Sequence, residues 1–123
     1  MRRIAVVEDN ADNRLLVSVI LEEKYEIIEY ESGIDALRGF ADNVPDLVLL
    51  DISLPEMDGV EVLGHLRKDE RFTRLPVIAL TAHASPVDRE RFMEAGFDEY
   101  VTKPIVDENV LLDAIERQFA KGE

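Results

Sequence analysis

Three four-residue runs constrain this chain most: residues 4–7 (Ile-Ala-Val-Val), 47–50 (Leu-Val-Leu-Leu) and 77–80 (Val-Ile-Ala-Leu) are wholly apolar. None alternates apolar with polar, so none reads as a strand with one wet face. Short, unbroken runs of this kind suit strands covered on both sides. Between them the spacing predicts helices, with apolar positions at Leu16, Val19 and Ile20, at Leu37, Phe40 and Ala41, at Leu63 and Leu66, and at Leu111, Ile115 and Phe119. Two further strands, Glu26–Tyr30 and Glu99–Thr102, mix charged with apolar residues and are expected at sheet edges. Gly33, Gly59 and Gly96 punctuate element ends, and Pro45 and Pro76 stand at strand entrances. The alternation of five strands with five helices predicts an α/β fold with a doubly wound parallel sheet and helices on both faces. Residues 1–123 read as one domain, with no linker or repeat.

Charge and composition narrow the partners. Twenty-seven acidic against fourteen basic residues give a net charge of −13, which repels nucleic acid and anionic membranes alike. The chain has no cysteine, so disulfides, thiolate nucleophiles and zinc-thiolate sites are all excluded. Met1-Arg2-Arg3 resembles the start of a signal peptide, but Glu8 and Asp9 end the apolar run long before a signal core is reached. No stretch approaches the ~20 apolar residues of a membrane span. These readings lead to the expectation of a cytoplasmic protein. Met1 and the Lys121-Gly122-Glu123 end lead to that of a stand-alone one.

In an open parallel sheet, ligands gather beyond the carboxyl ends of the strands. The polar residues that follow each run are Glu8 and Asp9, Asp51, Thr81, and Thr102-Lys103-Pro104. Parallel strands would collect them at one rim. Three carboxylates in close company need a cation or a proton. An all-oxygen set without His or Cys suits a hard ion, Mg²⁺ before Ca²⁺. With a lysine and a hydroxyl alongside, the rim becomes a receptor for phosphoryl oxygens, and the central aspartate a candidate nucleophile. Ordinary structural roles compete at each position. Glu8 and Asp9 suit a helix cap, Asp51 a turn, Thr81 an N-cap and Lys103 the surface. His65 and His83 read as solvated, as does the run Asp88-Arg89-Glu90-Arg91.

Four segments together carry a resemblance: Glu8-Asp9-Asn10, the stretch from Leu49-Leu50-Asp51 to Met57-Asp58-Gly59, Thr81-Ala82, and Lys103-Pro104. In order and spacing the set resembles bacterial two-component response-regulator receiver domains, of the single-domain chemotaxis type, over essentially the whole chain. The resemblance implies a (βα)5 flavodoxin-like fold with strand order 2-1-3-4-5. It implies that Asp51 accepts a phosphoryl group from a histidine kinase or histidine phosphotransfer protein. Glu8, Asp9, Asp51 and the Ser53 backbone carbonyl would hold Mg²⁺, with Mn²⁺ as a substitute. Thr81, the Ala82 backbone and Lys103 would hold the phosphoryl group, Thr81 and Tyr100 would act as the switch, and a cis peptide before Pro104 would aim Lys103. Glu8 stands where many relatives carry Asp, a common variation there.

The resemblance also implies a partner face over residues 86–119, where Phe92, Phe97 and Tyr100 are either apolar anchors or core, and a phosphorylation-dependent homodimer. No direct contact with nucleic acid or membrane is expected. Such a protein is a phosphoacceptor switch, not a turnover enzyme. Two other readings stay open: an interaction module indifferent to phosphorylation, and a Mg²⁺-dependent phosphatase. The second lacks the Asp-x-Asp pair such enzymes usually need, and no G-x-x-x-x-G-K-[ST] loop or G-x-S-x-G elbow is present.

Overall fold

The computed structural model of the protein describes residues 1–83 and 85–121. In chain order the elements are β1 (Arg3–Val7), α1 (Ala11–Leu21), β2 (Glu26–Tyr30), α2 (Gly33–Asp42), β3 (Leu47–Asp51), α3 (Gly59–Lys68), a 3₁₀ turn (Glu70–Phe72), β4 (Val77–Thr81), α4 (Pro86–Ala95), β5 (Glu99–Thr102) and α5 (Glu108–Lys121). All five strands pair in parallel in the order 2-1-3-4-5. The three apolar runs take the centre, and the charged strands β2 and β5 take the edges.

Side chains alternate across each strand, so a fully buried strand feeds two cores. Ala5, Val7, Val48, Leu50, Val77 and Ala79 face α2, α3 and α4, where Phe40, Leu63, Leu66 and Phe92 close the layer. Ile4, Val6, Leu47, Leu49, Ile78 and Leu80 face α1 and α5, against Val17, Leu21, Leu111 and Ile115. This is why the runs cannot alternate: both faces are dry.

The helix caps follow from local chemistry. Asn10, Ser32, Asp58 and Ser85 each accept a hydrogen bond from the backbone N–H three residues on. Gly96 ends α4 at φ 111°, a left-handed conformation that glycine adopts without penalty.

Three details differ from the sequence expectation. The inner stripe of α1 is Val17, Ser18 and Leu21, whereas Leu16 is 43% and Val19 54% exposed. Six of the last seven residues of α1 are apolar, so more than one stripe has helical period, and packing against β1 and β3 selects the one that turns inward. In α2, Leu37 and Phe40 pack on the core, but Ala41 is exposed and Ala36 takes the inner position. The 3₁₀ turn, unmarked by any long period, is started by Asp69 accepting from the Arg71 N–H, and it buries Phe72. At the C-terminus Lys121 closes α5, while Gly122 and Glu123 lie outside the described residues. Among the described residues no helix is long and apolar enough to cross a membrane.

Candidate functional site

Adjacent strands deliver the polar residues to one rim. Glu8 follows β1, Asp51 closes β3, Thr81 closes β4 and Lys103 follows β5. The register pairs Asp51 with Leu80 and Thr81 with Thr102, so the strand ends are level. Glu8 and Asp51 are only 1% and 2% exposed, although both are carboxylates, and Thr81 is equally buried. Asp9 stays exposed at the mouth.

Two buried carboxylates share one ammonium. Lys103 Nζ donates to Asp51 Oδ1 at 3.0 Å and to Glu8 Oε1 at 3.2 Å. The Ser53 N–H donates to Asp51 Oδ1 at 3.1 Å, and the Asn10 N–H to Glu8 Oε2 at 3.3 Å. One positive charge does not balance this set. Burial, a hydrogen bond with Asp51 and the Asp51 charge together push the Glu8 carboxyl up to about 7, against the opposing pull of Lys103. Burial by itself would depress the Lys103 ammonium, but its bonds and charge interactions with Asp51 and Glu8 hold it above its usual value.

The donor set fits a hard divalent cation. One oxygen from each of Glu8, Asp9 and Asp51 lies within 4.8 Å of the others. An all-oxygen group with two ligands buried and one open to solvent matches Mg²⁺, which keeps several waters.

The remaining candidates divide. Thr81 Oγ1 accepts from the His83 N–H at 2.9 Å and donates to the His83 carbonyl at 3.1 Å. Ala82 and His83 are exposed beside it, and His65 is exposed on α3. Tyr100 is half-buried against the core, with the Arg89 guanidinium 5.9 Å from its ring centre. The Lys103–Pro104 peptide is cis, and the Lys103 N–H donates to the Thr81 carbonyl at 2.7 Å. Phe92 and Phe97 are buried edge-to-face at 6.2 Å, so neither is an anchor on the 86–119 face. The competing cap roles are also settled. Asn10 caps α1 in place of Glu8 or Asp9, and Ser85 caps α4 in place of Thr81.

Two residues shape the site from outside the reacting set. Gly59, read from sequence as punctuation and as the end of the stretch that begins at Leu49, donates its N–H to the Ile52 carbonyl at 3.0 Å, and a Cβ there would collide with the Asp51 carbonyl oxygen. Gly59→Ala should therefore lower stability by about 1–3 kcal/mol, read as a lower urea midpoint at unchanged m. An unaltered midpoint would show that the loop absorbs the methyl group. The second is Arg14, whose guanidinium reaches the Glu8 and Asp9 carbonyls. Position on an amphipathic helix does not signal such a bond.

Comparison with known proteins meets this geometry. Residues 4–116 match the family model described as the response regulator receiver domain. The polar-differentiation response regulator DivK of Brucella ovis is 42% identical over 105 residues, 85% of each chain. The receiver domain of a signal transduction histidine kinase from Syntrophus aciditrophicus is 32% identical with a TM-score of 0.89, covering 98% of this chain and 92% of that one. The receiver domain of the sensor histidine kinase PA1611 from Pseudomonas aeruginosa, solved with a magnesium ion coordinated in its active-site cleft, is 32% identical with a TM-score of 0.87, covering 97% and 98%.

Proposed function

The chain belongs to the response regulator receiver family, and we propose that it is a switch in which Asp51 accepts a phosphoryl group from a histidine kinase or histidine phosphotransfer protein. One observation carries this reading: a buried aspartate at a strand end, 3.0 Å from a lysine ammonium and beside two further carboxylates. Glu8, Asp9, Asp51 and the Ser53 carbonyl are the residues that would hold Mg²⁺ or Mn²⁺. Bound there, the ion would offset repulsion between the Asp51 carboxylate and an incoming phosphoryl group.

The protein's own groups do the rest. An Asp51 oxygen attacks phosphorus in line, and the donor's P–N bond breaks with its electron pair leaving on the imidazole nitrogen. Such a transfer needs positioning and charge compensation more than covalent help. Lys103 moves from the carboxylates to the phosphoryl oxygens, and the Ala82 backbone N–H lies at the same rim. Thr81 gives up its turn with His83 to hydrogen-bond the new group. Its departure opens space toward which Tyr100 turns, and this repopulates two surface states without a new fold.

We further assign residues 1–123 to one receiver unit working in the cytoplasm. Its 86–119 face meets a downstream protein or a second copy of the chain, with no direct contact to nucleic acid or membrane. It is a phosphoacceptor switch that does not turn over substrate.

The test is to incubate the protein with Mg²⁺ and acetyl phosphate, measure intact mass, and map the acyl phosphate by borohydride reduction and peptide sequencing. One phosphoryl group on Asp51 is expected; no adduct, or one mapped elsewhere, defeats the reading. Lys103→Ala should slow adduct formation by about 10²-fold, the usual cost of one preorganised donor to transition-state charge. Its Mg²⁺ affinity should hold or rise, because a competing cation has gone. Time courses of the same mass shift check the first statement, and calorimetric titration the second.

A further inference from the structure

The turn that carries Glu8 and Asp9 is tied down by a residue outside the rim. Arg14, one turn into α1, donates from Nη1 to the Glu8 carbonyl at 2.8 Å and to the Asp9 carbonyl at 3.4 Å. The same guanidinium reaches β2, with Nε 3.2 Å from Glu29 and Nη2 3.5 Å from Glu31 just beyond it. The Arg14 side chain is 13% exposed, while that of Glu29 is about half exposed and that of Glu31 largely in water. A planar fork can engage two elements at fixed angles, which an ammonium cannot do.

We propose that Arg14 is a positioning residue for the divalent cation, clamping the Glu8–Asp9 backbone between α1 and β2 so that both carboxylates are presented before the ion arrives. This rests on the Mg²⁺ reading of the site. Groups that orient metal ligands from behind commonly change affinity by tenfold or more when removed. The inference has a diagnostic sign. Arg14 is a cation near three carboxylates, so on charge alone its removal would tighten Mg²⁺ binding. If it positions the ligands, removal weakens binding.

The experiment is calorimetric titration of the full chain with Mg²⁺ at pH 8, for wild type, Arg14→Met and Arg14→Lys, with Tm measured in parallel. Arg14→Met is expected to bind Mg²⁺ about tenfold more weakly and Arg14→Lys severalfold more weakly, because an ammonium can reach one carbonyl but cannot bridge to β2 as the fork does. Val17→Ala, which thins the core under the same helix, should lower Tm and leave the Mg²⁺ affinity unchanged. Should Arg14→Met fail to fold, Arg14→Lys decides the matter alone, since its charge is conserved. Affinity equal to or tighter than wild type in a folded Arg14 variant would overturn the inference while leaving the site reading intact. Wild type that binds no Mg²⁺ would overturn both.

Discussion

Asp51→Asn should take up no phosphoryl group from acetyl phosphate or from a phosphorylated histidine donor. The amide keeps the shape of the carboxylate, so the Ser53 N–H can still donate to its oxygen, as it does to Asp51 Oδ1 at 3.1 Å. What disappears is the anionic nucleophile, and an uncharged amide oxygen does not form the acyl phosphate. Glu8 reports the change independently. Of the influences that raise its carboxyl, burial stays, but the hydrogen bond and the charge of Asp51 go. Its titration should therefore move down from about 7 toward the ordinary carboxylate range, followed by carbon-13 NMR of the side chain. On the proposed function the variant also lacks one of the carboxylates that would hold Mg²⁺, so affinity for the ion should drop as well. A phosphoryl adduct that persists on Asp51→Asn would mean that the acceptor lies elsewhere.

Glu8→Gln should stabilise the ion-free protein at pH 8 and flatten its dependence on pH. An ordinary Glu titrates at 4.5, and burial with Asp51 alongside raises Glu8 to about 7. Between those values the folded protein holds a proton that the unfolded chain has released, so stability falls as pH rises through that window. The full displacement corresponds to at most ~3 kcal/mol, and partial access of water to the Lys103 side of the site reduces it to about 1–3 kcal/mol. Glutamine has one acceptor oxygen, so it keeps the bond from Lys103 and gives up the weaker one from the Asn10 N–H, and it carries no charge to desolvate. Urea melts from pH 4.5 to pH 8 should show the wild type losing stability across the window and the variant holding steady. Added Mg²⁺ should then raise the Tm of wild type more than that of the variant, because binding to the folded state stabilises by mass action and the variant binds less. Parallel slopes for the two proteins would show that Glu8 titrates normally.

Much of the architecture was legible in advance because it depends on short-range rules. An apolar run without alternation must be covered twice, and only the middle of a parallel sheet with helices on both sides covers it. That placed β1, β3 and β4 at the centre and β2 and β5 at the edges, as observed. The polar residues ending each run were legible for the same reason, since a central strand that stops being apolar has reached the rim. Periodicity was weaker where a helix is apolar nearly all round. In α1, Leu16 and Val19 satisfied the pattern as well as Val17 and Leu21 did, and only packing against β1 and β3 chose between them.

The amino-acid sequence by itself determined the strand–helix alternation, the central and edge strands, and the identity of the acids, hydroxyl and lysine at the strand ends. Tertiary structure alone decided what those residues do to one another. Glu8 and Lys103 are 95 positions apart in the chain, yet they end 3.2 Å from each other. The raised Glu8 carboxyl, the sharing of one ammonium by two buried acids, and the reach of Arg14 from α1 to β2 are consequences of that convergence. Desolvation and Coulomb energies depend on distance and burial in space, and separation along the chain carries neither.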